Sequence, residues 1–166
     1  MTEDGAETYE AAFAELVLPA FRVALRILGN YSDAEDVAAE AMARALRSWD
    51  RVGAMPHRRA WVVRVAANAA IDRARRHPPP ARSSDYVPDV GETVALRLAL
   101  SAALRTLPRR QREVVVLRFL DDLSEAEVAR SLGISLNTVK KHTARAVGAL
   151  RTRLGPDWQE GNLALE

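Results

Sequence analysis

The chain has 166 residues, 24 Lys+Arg against 22 Asp+Glu, a net charge of +2 and no cysteine. That length allows one ordinary domain or two small ones, and the missing cysteines exclude disulfides, thiolate catalysis and Cys-type zinc sites. No segment approaches the roughly 18 consecutive apolar residues of a membrane span, and the acidic start "MTEDGAETYE" is not a signal peptide, so a soluble cytoplasmic protein without membrane insertion is expected.

The small net charge hides a strong asymmetry. Residues 1–50 carry 10 acids and 4 bases, 51–84 carry 8 bases and 1 acid, and 94–154 carry 12 bases and 5 acids. An acidic front followed by two basic blocks points to a polyanionic partner for the blocks and a different partner for the front, with solvated helix faces as the plainer account of either block alone.

In chain order, Glu10–Leu28 spaces Phe13, Leu16, Val17, Phe21, Ala24 and Leu28 as one apolar helix stripe and ends at Gly29-Asn30. A second helix opens at "SDAE", where Ser32 can cap, Glu35 can reach back and Asp33 and Asp36 suit the positive end of the helix dipole. Its stripe of Ala38, Met42, Ala45, Leu46 and Trp49 faces inward and leaves Asp33, Asp36 and Glu40 on another side. A third helix, from about Arg59 to Arg76, turns Val62, Val65, Ala66 and Ala69 inward. Trp61, Arg64, Asn68, Asp72 and Arg75 form a separate stripe able to touch nucleic acid, although Trp61 fits a core position as well.

The run "HPPPARSSDYVPDVGET" (77–93) holds four prolines and little that is apolar, and reads as a linker between two helical halves. Beyond it, "LSEAEV" from Leu123 is a capping box of Ser124 and Glu127 with a Leu123/Val128 staple. The helix it opens should end near Leu132 at Gly133, and Ser135 then caps the next, which is the layout of a helix-turn-helix. On that last helix Val139, Thr143, Ala146, Val147, Leu150 and Leu154 fall inward. Thr138, Lys141, His142 and Arg145, flanked by Lys140, form an opposite face free of acids, suited to a major groove lined by phosphates and base acceptors.

Three stretches together resemble the extracytoplasmic-function sigma factors of the sigma-70 family, bacterial RNA polymerase initiation subunits reduced to regions 2 and 4: "DAEDVAAEAMARALRSW" (33–49), "RAWVVRVAANAAIDRARR" (59–76) and "LRTLPRRQREVVVLRFLDDLSEAEVARSLGISLNTVKKHTARAVGALR" (104–151). The resemblance implies an all-α protein of two small helical domains, region 2 over 10–77 and region 4 over 94–155, joined by a flexible linker over 78–93. It implies that Asp33, Asp36, Glu40, Arg44 and Trp49 dock on core RNA polymerase. It assigns Arg58, Trp61, Arg64, Asn68, Asp72, Arg75 and Arg76 to the minus-ten promoter element, with Asn68 reading a base while arginines, Arg73 among them, hold phosphates. Asn137, Thr138, Lys140, Lys141, His142 and Arg145 fall to the minus-thirty-five element. The linker acids Asp85, Asp89 and Glu92 would pass through the polymerase cleft, or else are solvated. The chain departs from the family pattern at Ala39, where Gln is usual, at Lys141-His142, where Ser and Arg are commoner, and in the loop "RVGAMPH", which lacks an aromatic residue.

The partners so implied are core polymerase, promoter DNA and, in some members, an anti-sigma factor. No enzyme activity, cofactor or metal is expected: His57, His77 and His142 are scattered, and no nucleophile or metal-ligand constellation accompanies them. A free-standing helix-turn-helix regulator of the two-component output type is the alternative, and it would need a parallel sheet ahead of the motif.

Overall fold

A computed structural model describes residues 8–76, 88–156 and 158. Among them are eight α-helices and no strand. The first, α1 (Tyr9–Leu28), starts where the Thr8 hydroxyl accepts the Ala11 N–H and stops at Gly29, whose φ of 74° is left-handed. Because that turn is so tight, the cap of α2 (Tyr31–Arg47) is Asn30 and not Ser32, which lies inside the first turn. The Asn30 side-chain oxygen accepts the Asp33 N–H at 2.8 Å, and Asp33 in place of Glu35 returns the contact, accepting from Asn30 Nδ2 at 2.5 Å.

The buried face of α1 is set by small residues. Ala12, Leu16, Ala20, Val23, Ala24 and Ile27 are buried, Val17, Phe21 and Leu28 pack at the rim, and Phe13 is 41% exposed. Helices meeting on alanine approach closely, which favours the alanine-rich side over the aromatic one. For the same reason α2 buries Ala34, Val37, Ala38, Ala41, Met42 and Ala45 and leaves Leu46, expected inside, 52% exposed. A short helix, α3 (Trp49–Val52), leads to α4 (Arg58–Arg76), which buries Ala60, Val62, Val63, Ala66, Ala67, Ala70, Ile71 and Ala74. Val65 and Ala69, also expected inside, pack only partly against this core. Helices α1, α2 and α4 form a three-helix bundle.

Helix α5 (Pro88–Thr106) begins inside the segment read as linker, so residues 88–93 are helical, while 78–87 lie outside the described residues. Proline is favoured at a first helical position. Helix α6 (Arg109–Val115) runs straight into a π turn over Val116–Leu120, in which the Asp121 N–H reaches back to the Val116 carbonyl at 3.1 Å. Helices α7 (Glu125–Leu132) and α8 (Leu136–Leu154) complete the chain's second half. Beyond α8, Trp158 is 4% exposed and belongs to the core. The two halves are packed together. Helix α5 lies on α1 and α4 as well as on α8, the π turn meets α4, and one continuous apolar cluster runs through both.

Candidate nucleic-acid interface

The helix-turn-helix forms as its sequence indicates. Ser124 accepts the Glu127 N–H and Glu127 accepts the Ser124 N–H at 2.7 Å, closing the capping box. The Ser124 hydroxyl also donates to the Glu127 carboxylate at 2.6 Å, and this bond and that from the Ser124 N–H depress the Glu127 pKa. Gly133, at φ 64°, ends α7, and two residues later the Ser135 hydroxyl accepts the Thr138 N–H at 3.1 Å to start α8. Val139, Ala146, Val147 and Leu150 are buried, which turns the opposite face outward. Asn137, Lys140, Lys141 and Arg145 are exposed, and Thr138 and His142 are half-buried at the edge of the same face. Thr138 is tied to Ser135 by a hydroxyl contact of 2.8 Å, and His142 Nδ1 is buried without a hydrogen-bond partner, so only its other ring edge is free to point outward. Among the described residues no carboxylate pairs with Lys140, Lys141 or Arg145.

The stripe expected on α4 is split. Asn68, Asp72, Arg75 and Arg76 are exposed near its C-terminal end. Trp61 packs against the core, and Arg64 is turned into the molecule, 3.9 Å from Glu113 and only 20% exposed. Burial lowers the Arg64 pKa, opposed by the Glu113 charge. Arg58 lies 3.7 Å from Glu15 on α1. Arg73, expected to hold phosphate, is occupied instead: its Nε donates to Asp33 at 2.7 Å and its Nη2 to Asp36 at 2.9 Å. Desolvation works against the charged form of Arg73, but the bonds and charges of the two carboxylates outweigh it and raise its pKa.

The acidic face of α2 is therefore partly neutralised from within. Asp33 and Asp36 share Arg73, and Glu40 pairs with Arg44 one turn on. Trp49 is half-buried edge-on to Tyr9, with ring centroids 5.3 Å apart, and Gly53 sits against it so closely that a Cβ there would lie 2.9 Å from the indole.

Sequence reasoning passed over the seam between the halves. Glu113, the only acid in an apolar run, is 4% exposed and held by Arg109 and Arg110 at 3.1 and 3.0 Å, while Asp121 accepts Arg59 Nη2 at 2.7 Å. Burial raises the Asp121 pKa against the pull of Arg59. A lone Glu opening "EVVVLRFL" was the available signal; its approach to Arg64 on α4, 49 residues earlier in the chain, was not.

Two family models match in order: sigma-70 region 2 over residues 13–78 and sigma-70 region 4 over 97–150. The chain is 32% identical over 153 residues to the ECF RNA polymerase sigma factor SigW of Bacillus subtilis, covering 81% of this chain and 82% of that one. It is 34% identical over 166 residues to the ECF RNA polymerase sigma factor SigL of Mycobacterium tuberculosis, covering 90% and 93%. The fold is shared with two solved structures: CnrH in complex with the cytosolic domain of CnrY (TM-score 0.57, 24% identity, 90% of this chain and 89% of that one) and the sigma factor RpoE in complex with the anti-sigma factor NepR from Bartonella quintana (0.50, 22%, 88% and 96%). The chain belongs to the extracytoplasmic-function sigma factors of the sigma-70 family. It is thus a DNA-binding protein of transcription initiation, from a family of regulatory subunits and not of enzymes. No helix among the described residues is long and apolar enough to cross a membrane.

Proposed function

We propose that this sigma factor works in the cytoplasm as a bivalent promoter reader whose halves, residues 10–77 and 94–155, joined through 78–87 and the first residues of α5, are set at working distance by core polymerase. The acid-free outer face of α8 carries the reading: Asn137, Thr138, Lys140, Lys141, His142 and Arg145 enter the major groove of the minus-thirty-five element, bases on phosphates and Asn137 and Thr138 nearest the base edges. On α4, Asn68 reads an unstacked base of the minus-ten element beside Asp72, with Arg75 and Arg76 on the phosphates, and Arg58, Trp61 and Arg64 complete the strand path. Asp33, Asp36, Glu40, Arg44 and Trp49 dock on core polymerase. The anti-sigma factor NepR bound to the solved sigma factor RpoE supports a third partner of that kind.

Fluorescence anisotropy of the labelled protein against bacterial core polymerase tests the reading. Tight binding weakened by Asp36→Asn is the expected result. Binding to duplex DNA alone, with none to polymerase, overturns it in favour of a free-standing regulator. Asn68→Ala should lower open-complex formation while leaving polymerase affinity intact; equal activity on every minus-ten variant removes Asn68 from base reading.

A further inference from the structure

We propose that Leu136, at the start of α8, packs against a thymine methyl group in the minus-thirty-five duplex beside an adenine held by Asn137, and so fixes part of the promoter sequence; the proposal rests on the reading of α8 as the duplex-reading helix. Leu136 is the first residue of α8 and is 45% exposed. Among the described residues of the second half it is the one large apolar side chain so open. It also stands outside the apolar cluster that takes in Ile134 before it and Val139 after it. The core closes without it.

The turn around Leu136 uses up its own hydroxyls. The Ser135 hydroxyl accepts the Thr138 N–H at 3.1 Å and lies 2.8 Å from the Thr138 hydroxyl, so the two engage each other. Leu136 and Asn137, which come between them in the chain, are both exposed. The first turn of α8 therefore offers one apolar group and one amide to a partner. It also carries no acid, whereas the first turn of α7 has Glu125 and Glu127 and that of α2 has Asp33. An acid would suit the helix dipole there but would repel phosphates. With Lys140, Lys141 and Arg145 exposed on the same helix, the surface around Leu136 complements a polyanion.

A recognition helix brings its N-terminal residues to the base edges of the major groove. The C5-methyl of thymine is the apolar group on those edges, and an Asn side chain matches adenine N6 and N7. Leu136 has neither donor nor acceptor. A thymine methyl against it gains apolar contact, whereas a cytosine amino group in that place loses water and finds no partner. The pair Leu136-Asn137 thus selects thymine next to adenine by two unlike contacts.

The test removes the methyl group itself. Holoenzyme reconstituted from bacterial core polymerase and this chain selects duplexes from a library randomised at both promoter elements. One minus-thirty-five position should be fixed as thymine, with adenine in a neighbouring base pair. Replacing that thymine by uracil, which differs only in lacking the methyl, should weaken holoenzyme binding by about threefold to tenfold. Leu136→Ala should weaken binding to the thymine duplex by a similar factor and show no further loss with uracil. Leu136→Met, which keeps an apolar reach, should still tell thymine from uracil, so that a loss in the alanine variant is not one of folding. A uracil effect as large in Leu136→Ala as in the parent, or none at any thymine in the parent, overturns the proposal; a fixed minus-thirty-five sequence in the same selection leaves α8 as its reader. Selection of no minus-thirty-five sequence by a holoenzyme that still fixes a minus-ten sequence overturns the reading of α8, and the proposal with it.

Discussion

The two halves of the molecule use charge in opposite ways. In the N-terminal bundle the acids along α2 are paired inside the chain, Asp33 and Asp36 with Arg73 and Glu40 with Arg44. In the helix-turn-helix Lys140, Lys141 and Arg145 face solvent, and no carboxylate among the described residues pairs with them. A surface meant for DNA gains from unpaired cations, since each phosphate contact releases counterions. A surface meant for a protein needs its charges held in one geometry, and an internal arginine does that while lowering their long-range field.

The largest test of this contrast asks whether the halves also stand alone. Leu16 and Leu150 are both fully buried, one in each half, and replacing either by alanine should cost about 2–5 kcal/mol. Because one apolar cluster spans both halves, we expect each change to lower a single thermal transition; two transitions, only one of which moves, would show that the halves melt separately.

Next in size is the acidic face. Asp36→Arg sets a cation against Arg73 and should cost about 1–2 kcal/mol of stability besides weakening polymerase binding, whereas Asp36→Asn, removing one half-exposed pair, should cost about 0.5 kcal/mol. Thermal melts beside anisotropy separate the two effects. If the Asn variant binds polymerase as well as the parent, Asp36 belongs to the α2–α4 contact and not to the docking surface.

How much of this was legible in the sequence depended on how local the cause was. Ser124–Glu127, Gly133 and Ser135 act within three residues of themselves, and the helix-turn-helix formed as read. The cap of α2 was misplaced by two residues because the left-handed turn at Gly29 decides where the chain can re-enter a helix. Arg64 read as a cation on a polar stripe and Arg73 as a holder of phosphate; their partners lie 49 and about 40 residues away in the chain, and only the packing of α4 reveals them. Leu46 and Phe13 failed for a related reason: periodicity identifies a helical face but not which of two neighbouring faces is narrow enough for close approach.

On the basic side the expected effects are smaller. Lys141 is exposed and unpaired, so Lys141→Ala should weaken binding to duplex promoter DNA by about 1 kcal/mol across sequences and reduce the salt slope by about 1. Titrations at several salt concentrations check both. A loss confined to one DNA sequence would make Lys141 a base reader, and no loss at all would take it off the interface.

The smallest effect lies in the cap that aims α8. Ser124→Ala removes the side chain that accepts the Glu127 N–H and should cost about 0.5–1 kcal/mol. Its pH dependence identifies the cause. The Glu127 pKa is depressed in the folded chain by its bonds to Ser124, so the folded state binds fewer protons there than the unfolded one, and this stabilisation is present at neutral pH and lost as pH falls through the carboxylate range. The gap between parent and Ser124→Ala should therefore narrow in acid. A gap that stays constant from neutral to acid pH would assign the effect to the hydroxyl alone and leave Glu127 as one more solvated acid, the role its exposed position would otherwise suggest.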